Sequence, residues 1–148
     1  MFEVKGDLWT LPAKVIFITT NGTVKKNGEA VMGRGCALEA KKKYSGIEFD
    51  LGRHIKKFGN RVTRLVNGYD ENPHILSFPV KHNWWEVADL DLIARSCIQA
   101  QEMMDHFAGP NDFIALPRPG CGNGQLEWED VKPICEKFLD NRFGLVFK

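Results

Sequence analysis

The stretch Leu116-Pro117-Arg118-Pro119-Gly120-Cys121-Gly122-Asn123-Gly124, running on to Trp128, sets three glycines between an apolar run and a helical pattern. Phe113 to Leu116 reads as a strand. Val131, Ile134, Cys135, Phe138 and Leu139 recur at the spacing of one helix face. Glycines in such a loop let a ligand come close to main-chain N–H groups, and the helix start beyond adds partial positive charge. Together these make an anion site, most often for phosphate. The competing reading is a tight turn that needs three glycines for shape alone, and the loop by itself divides the two evenly. A second glycine loop, Gly33-Arg34-Gly35, leads into a helix over about 36–44. Two such cradles on one crevice suit a pyrophosphate. No GxGxxG follows the first strand and no Gly-Lys-Ser/Thr occurs, so nicotinamide hydride chemistry and ATP hydrolysis lose support.

Other residues each carry a sharp and a bland reading. Asp7 can accept from an exocyclic amine such as adenine offers, or it stabilises its own turn, which is the better expectation from sequence. Asn21 can meet a ribose hydroxyl, or simply end the strand before it. Lys81 follows a strand directly and can anchor a sugar or phosphate, although most lysines there are only solvated. Trp84-Trp85 offer broad faces for a base or sugar, yet adjacent tryptophans more often include one packed over the core edge. Cys121 sits near a helix start, which lowers a thiol pKa. It has no sequence-adjacent base, so packing under a ligand is expected. The histidines, at 54, 74, 82 and 106, lack metal spacing; only His82, beside Lys81, falls in a candidate loop. Glu127, Glu129 and Asp130 are most simply helix-dipole partners.

The elements that must position these residues follow from periodicity. Strands are expected at Phe2–Val4, Lys14–Thr20, Arg61–Val66, His74–Val80, Phe113–Leu116 and Phe143–Phe147, with turns at Asn21-Gly22 and Asn67-Gly68. Helices are expected at about 36–44, over Ile47, Leu51, Ile55 and Phe58 as one apolar face, over Asp89–Phe107, and after Trp128. Strands alternating with helices give an α/β class with a mixed, largely parallel sheet covered on both faces. Ligands then bind beyond the carboxyl ends of the strands.

The chain has 148 residues, a formal net charge of +1 and 26% charged residues, which suits one soluble domain. No global basic excess argues for nucleic acid. There is no signal-peptide pattern and no membrane-length apolar run. The four cysteines show no CxxC pairing, and Cys97 and Cys135 read as core thiols, so a cytoplasmic setting without disulfides or membrane association is expected.

Taken together, Gly6-Asp7-Leu8-Trp9, Val31-Met32-Gly33-Arg34-Gly35-Cys36-Ala37, Phe78-Pro79-Val80-Lys81 and the Leu116–Gly124 loop with Leu126 and Trp128 resemble the macrodomain family, the ADP-ribose-binding α/β/α module. The likeness is to the branch of terminal ADP-ribose glycohydrolases and antitoxin macrodomains acting on ADP-ribosylated DNA. It implies a single three-layer α/β/α domain over residues 1–148, ADP-ribose or an ADP-ribosylated macromolecule as partner, and neither metal nor cofactor. Asp7 then contacts adenine, with Leu8 lining the base pocket. Thr20, Asn21, Gly33, Gly35 and Cys36 surround the diphosphate and distal ribose from one side. Pro119, Gly120, Cys121, Gly122, Asn123 and Gly124 do so from the other. Lys81 falls where this branch carries its functional lysine, near the ribose C1″. One departure stands out: the glycohydrolase pattern has an aspartate where this chain has Gly124, and the antitoxin-like members lack it too. The implied activity is removal of ADP-ribose from DNA or protein through Lys81. The alternatives are a non-catalytic module for ADP-ribose or NAD metabolites, or an ADP-ribose 1″-phosphate phosphatase. A single-stranded nucleic acid surface using Trp84, Trp85, Lys81, His82 and Arg118 is compatible with the first of these.

Overall fold

The computed structural model describes residues 1–65 and 73–148. Its strands are β1 (Phe2–Lys5), β2 (Val15–Asn21), β3 (Thr63–Arg64), β4 (His74–Lys81), β5 (Ile114–Pro117) and β6 (Phe143–Phe147). Its helices are α1 (Gly35–Lys43), α2 (Ile47–Phe58), α3 (Leu90–Phe107) and α4 (Trp128–Phe138). They form one sheet in the order β1-β6-β5-β2-β4-β3. All neighbours are parallel except β3, which runs antiparallel on the edge beside β4. Val66 and the Asn67-Gly68 turn expected after β3 lie outside the described residues.

Strand periodicity divides the core. In β2, Val15 and Phe17 join α3 and α4 on one face, while Ile16 and Ile18 join α1 and α2 on the other. The continuous apolar run of β2 is what burial on both faces demands. Phe17 meets Phe78 edge-on at 6.0 Å and Phe143 at 6.1 Å, so Phe17→Ala should cost about 3–5 kcal/mol. Cys97 and Cys135 are buried where α3 and α4 meet that layer, as core thiols.

Helix ends follow local chemistry. Asp89 caps α3 by accepting from the Asp91 amide at 2.9 Å. Gly46 and Gly59, both at positive φ, bracket α2. The expected apolar face of α2 needs one correction: Phe58 is 59% exposed. It occupies the last turn, with its ring 6.0 Å from that of His54 and 5.2 Å from the Lys57 ammonium rather than in the core. Among the described residues no helix is long and apolar enough to cross a membrane.

Two irregularities at the carboxyl ends of the strands open the site. β2 pairs with β5 only through Val15–Ile114 and Ile16–Ala115 before the strands part. On its other side β2 pairs Thr20 with Pro79 but Asn21 with Lys81, skipping Val80. Pro79 has no N–H to give the ladder, and the skipped residue is a bulge. It brings Lys81 directly beside Asn21.

Candidate functional site

A cavity of about 830 Å³ occupies the opening between β2 and β5, within the range of about 300–1,000 Å³ usual for small-molecule clefts. Thr20, Asn21, Gly33, Gly35, Cys36, Lys81, Gly120, Gly122, Asn123 and Gly124 line it, so the structure brings together ten of the residues singled out from sequence. The two glycine loops meet across it. A Cβ on Gly35, which has φ +59°, would stand 3.1 Å from Asn123 Nδ2.

The glycines of these loops have different reasons to be glycine. Gly120 has φ +74°, and a Cβ there would press on Ala88 Cβ at 2.9 Å and on Ile93 and Leu126. At Gly124 a Cβ would meet the Gly120 carbonyl oxygen at 2.5 Å and Ala88 Cβ at 2.8 Å. Main-chain bonds tie this knot: Ala88 N–H donates to the Gly124 carbonyl at 3.0 Å, and Leu126 N–H to that of Gly120 at 2.9 Å. Gly33 and Gly122 differ, because a Cβ at either would meet nothing within 4 Å and neither has positive φ. Neither packing nor backbone conformation requires glycine at those two cavity positions.

Polar groups converge from β2 and β4. Thr20 is buried, and its Oγ1 has no hydrogen-bond partner among the described residues. A buried hydroxyl without a partner is costly unless something else satisfies it. Asn21 donates from Nδ2 to the Val31 carbonyl at 3.0 Å and accepts from Thr23 N–H at 3.0 Å, so it pins the loop as well as lining the cavity. Lys81 donates to the Trp84 carbonyl at 3.3 Å. Desolvation, then the nearby Arg34 charge, holds its ammonium pKa below the ordinary lysine value. Cys36 receives the Thr19 N–H at 3.4 Å. Burial pushes its thiol pKa up against those bonds.

Four of the predicted site residues lie outside the cavity lining. Asp7 is exposed and accepts from the Trp9 amide at 2.8 Å, the turn-stabilising role. Leu8 is buried in the layer of α1 and α2. Pro119, within the second loop, is buried. Cys121 packs against the α3/α4 core, and burial raises its thiol pKa to about 11, opposite to the helix-start expectation.

The neighbouring loop also differs from expectation. Trp84 and Trp85 are 50% and 64% exposed and form an edge-to-face pair on the cavity rim, so neither covers the core. His82 turns to Asp89, Nε2 to Oδ2 at 2.8 Å, and braces the start of α3.

Arg34, Thr19, Met32, Arg118 and Gln125 also line the cavity. Arg34 lay inside a recognised loop, but its influence on Lys81 has no sequence signal. Arg118 is stacked over Trp128 and Phe147 at 4.8 and 4.3 Å and is held by Glu3 at 2.8 Å. These are contacts between ends of the chain.

The segment between Asn21 and Val31 is a hairpin closed by a Val24–Ala30 bridge and a 2.7 Å bond from Lys25 N–H to the Glu29 carbonyl. Gly52 on α2 gives it a seat: a Cβ there would overlap the Gly28 carbonyl. Ala30 N–H also donates to the Glu48 carbonyl at 2.8 Å. Lys25 lines the cavity, and the hairpin forms its wall.

No family model matches the chain. It is 28% identical over 131 residues to a DNA ADP-ribosyl glycohydrolase of Mycobacterium tuberculosis, covering 86% of this chain and 35% of that protein. The chain thus spans about a third of the length of the curated relatives it matches. Among solved structures it superimposes on the macrodomain of Mycobacterium tuberculosis DarG with a TM-score of 0.78 and 25% identity, covering 98% of this chain and 95% of that one. It also matches Thermosipho africanus DarTG, solved in complex with ADP-ribose, with a TM-score of 0.76 and 20% identity over 97% of this chain and 40% of that one.

Proposed function

The chain has the macrodomain fold and is similar to DarG macrodomains, and from that premise we propose that it binds ADP-ribose in the cavity and removes it from a modified macromolecule, DNA in the first place. The observation that carries this reading is the pair Gly33 and Gly122. Both line the cavity, and neither packing nor φ asks for glycine there. Close approach of a ligand to the main chain is the remaining reason for the absent side chains. The diphosphate lies between these loops, and the unpartnered Thr20 hydroxyl is free to bond to it. Asp7 and Leu8 border the adenine end, beyond the cavity lining.

Lys81 acts at the distal ribose. Cleavage at C1″ develops positive charge on the sugar, so the site must orient the ribose and manage the leaving group. A lysine with a lowered pKa has a larger neutral fraction. Its amine attacks C1″ as the bond to the leaving base breaks, the base takes up a proton, and water later releases the ribose. As a cation it instead steadies the leaving group.

The experiment is calorimetry with ADP-ribose, followed by turnover of ADP-ribosylated DNA, ADP-ribosylated protein and ADP-ribose 1″-phosphate. Tight binding with release from DNA supports the proposal. The filled space beside Gly124, which leaves no room for a second catalytic acid, favours a binding module as the second reading. Tight binding with no turnover of any substrate would establish that alternative.

A further inference from the structure

The net charge of +1 conceals a separation by layer. Residues 21–65, which build the hairpin, α1, α2 and β3, carry eleven Lys and Arg against four Asp and Glu. Residues 86–140, which include α3 and α4, carry four against eleven. Two of the four acids in the basic segment, Glu48 and Asp50, are buried. Glu29 is taken up by Lys25 and Lys41 at 3.4 and 3.8 Å. Among the described residues Lys26, Arg34, Lys56, Lys57 and Arg61 have no carboxylate in ion-pair range.

This basic surface adjoins the reacting end of the cavity. The hairpin carrying Lys25 and Lys26 is seated on α2 through Gly28 and Gly52. Asn60, just past the end of α2, donates to the Lys81 carbonyl at 2.9 Å. Aromatic rings stand among the cations: Phe49 is 39% and Phe58 59% exposed, with the Lys57 ammonium 5.2 Å from the Phe58 ring centre. Trp84 and Trp85 continue the series at the rim. Cations interleaved with exposed rings suit a strand whose phosphates and unstacked bases alternate. A folded acidic protein would use the cations and leave the rings idle.

We propose that the hairpin and α2 form a docking track for single-stranded nucleic acid, which delivers its ADP-ribosylated nucleotide to Lys81; this rests on the reading of the cavity as an ADP-ribose site. The acidic α3/α4 layer repels the same strand and fixes the side from which it enters.

The test uses the full chain. Lys56→Glu with Lys57→Glu is compared with Arg95→Glu plus Lys137→Glu, which makes the same charge change on the acidic layer. Each is titrated with an unmodified single-stranded oligonucleotide of about twelve nucleotides, a length within the range one site spans, across a salt series, and separately with ADP-ribose. The first pair is expected to weaken oligonucleotide binding about tenfold and to lower the salt slope by about 0.7 for each lost cation. ADP-ribose affinity should stay unchanged, and the control pair should bind the oligonucleotide as wild type does. Lys56→Gln with Lys57→Gln serves if the reversal does not fold. Equal effects of both pairs, or no effect of the first, would overturn the track. Displacement of the oligonucleotide by polyglutamate at equal charge concentration would assign the surface to an acidic protein instead. Failure of the wild type to bind ADP-ribose would overturn the cavity reading and with it the delivery to Lys81, and is seen in a titration separate from the one that tests the track.

Discussion

The Gly120 carbonyl oxygen lies 2.5 Å from the point where a Cβ on Gly124 would stand. The position occupied by an aspartate in the glycohydrolase pattern is therefore filled from beneath by the chain's own backbone. Gly124→Asp is expected to destabilise the protein by about 1–3 kcal/mol through overpacking and to bring no gain in turnover. Denaturant melts and the DNA assay check this together. A Gly124→Asp protein of wild-type stability and faster turnover would show that the loop yields to an acid.

Lys81→Ala should bind ADP-ribose nearly as wild type and lose turnover by about a hundredfold or more. The chemical role of the amine is read from the partner charge. Desolvation and, after it, the Arg34 charge hold the Lys81 pKa down, so Arg34→Gln raises it. If the neutral amine attacks, the rising limb of the pH–rate profile moves to higher pH. If the ammonium acts, the falling limb does. An unmoved profile would disconnect Arg34 from catalysis.

Asp7 already accepts from Trp9 N–H, so Asp7→Ala mixes the loss of a turn with the loss of an acid. Asp7→Asn keeps an acceptor for the turn and removes the charge. A drop in ADP-ribose affinity of about tenfold, a hydrogen bond to a charged group being worth roughly 1.5–3 kcal/mol, would put Asp7 at the adenine. Unchanged calorimetric affinity would leave it a turn residue.

Asp140 gives an acid-side signature. Partial burial works against its ionisation, but bonds from Arg142 and Gln101 hold its pKa at about 2, below the ordinary value of 3.8. The folded state thus binds its proton less readily than the unfolded chain. The stabilisation is present above pH 3.8 and is lost as pH falls toward 2. The network is partly exposed, so its worth is about 1 kcal/mol. Asp140→Asn should lower Tm at pH 6 and converge with wild type near pH 2.

The sheet and helices were legible because β2, α3 and β6 announce themselves by periodicity, and the two glycine loops by composition. The Phe58 expectation failed because helical spacing reports a face without reporting which of its positions the core reaches. Lys81 and Asn21 could be named from their places at strand ends. The Arg34 charge, the orphaned Thr20 hydroxyl and the burial of Cys121 depend on neighbours distant in sequence, so no spacing could announce them. The charge separation was written in the sequence but invisible in its sum.

The skipped residue at Val80 determines which side chain stands beside Asn21. In an evenly paired ladder Asn21 would face Val80, and alternation would turn the Lys81 stem toward the opposite layer. The place of this lysine in the proposed site is therefore a property of strand phase as much as of residue type. A homologue or design that kept every side chain of β4 but restored regular pairing would retain the motif and lose the site.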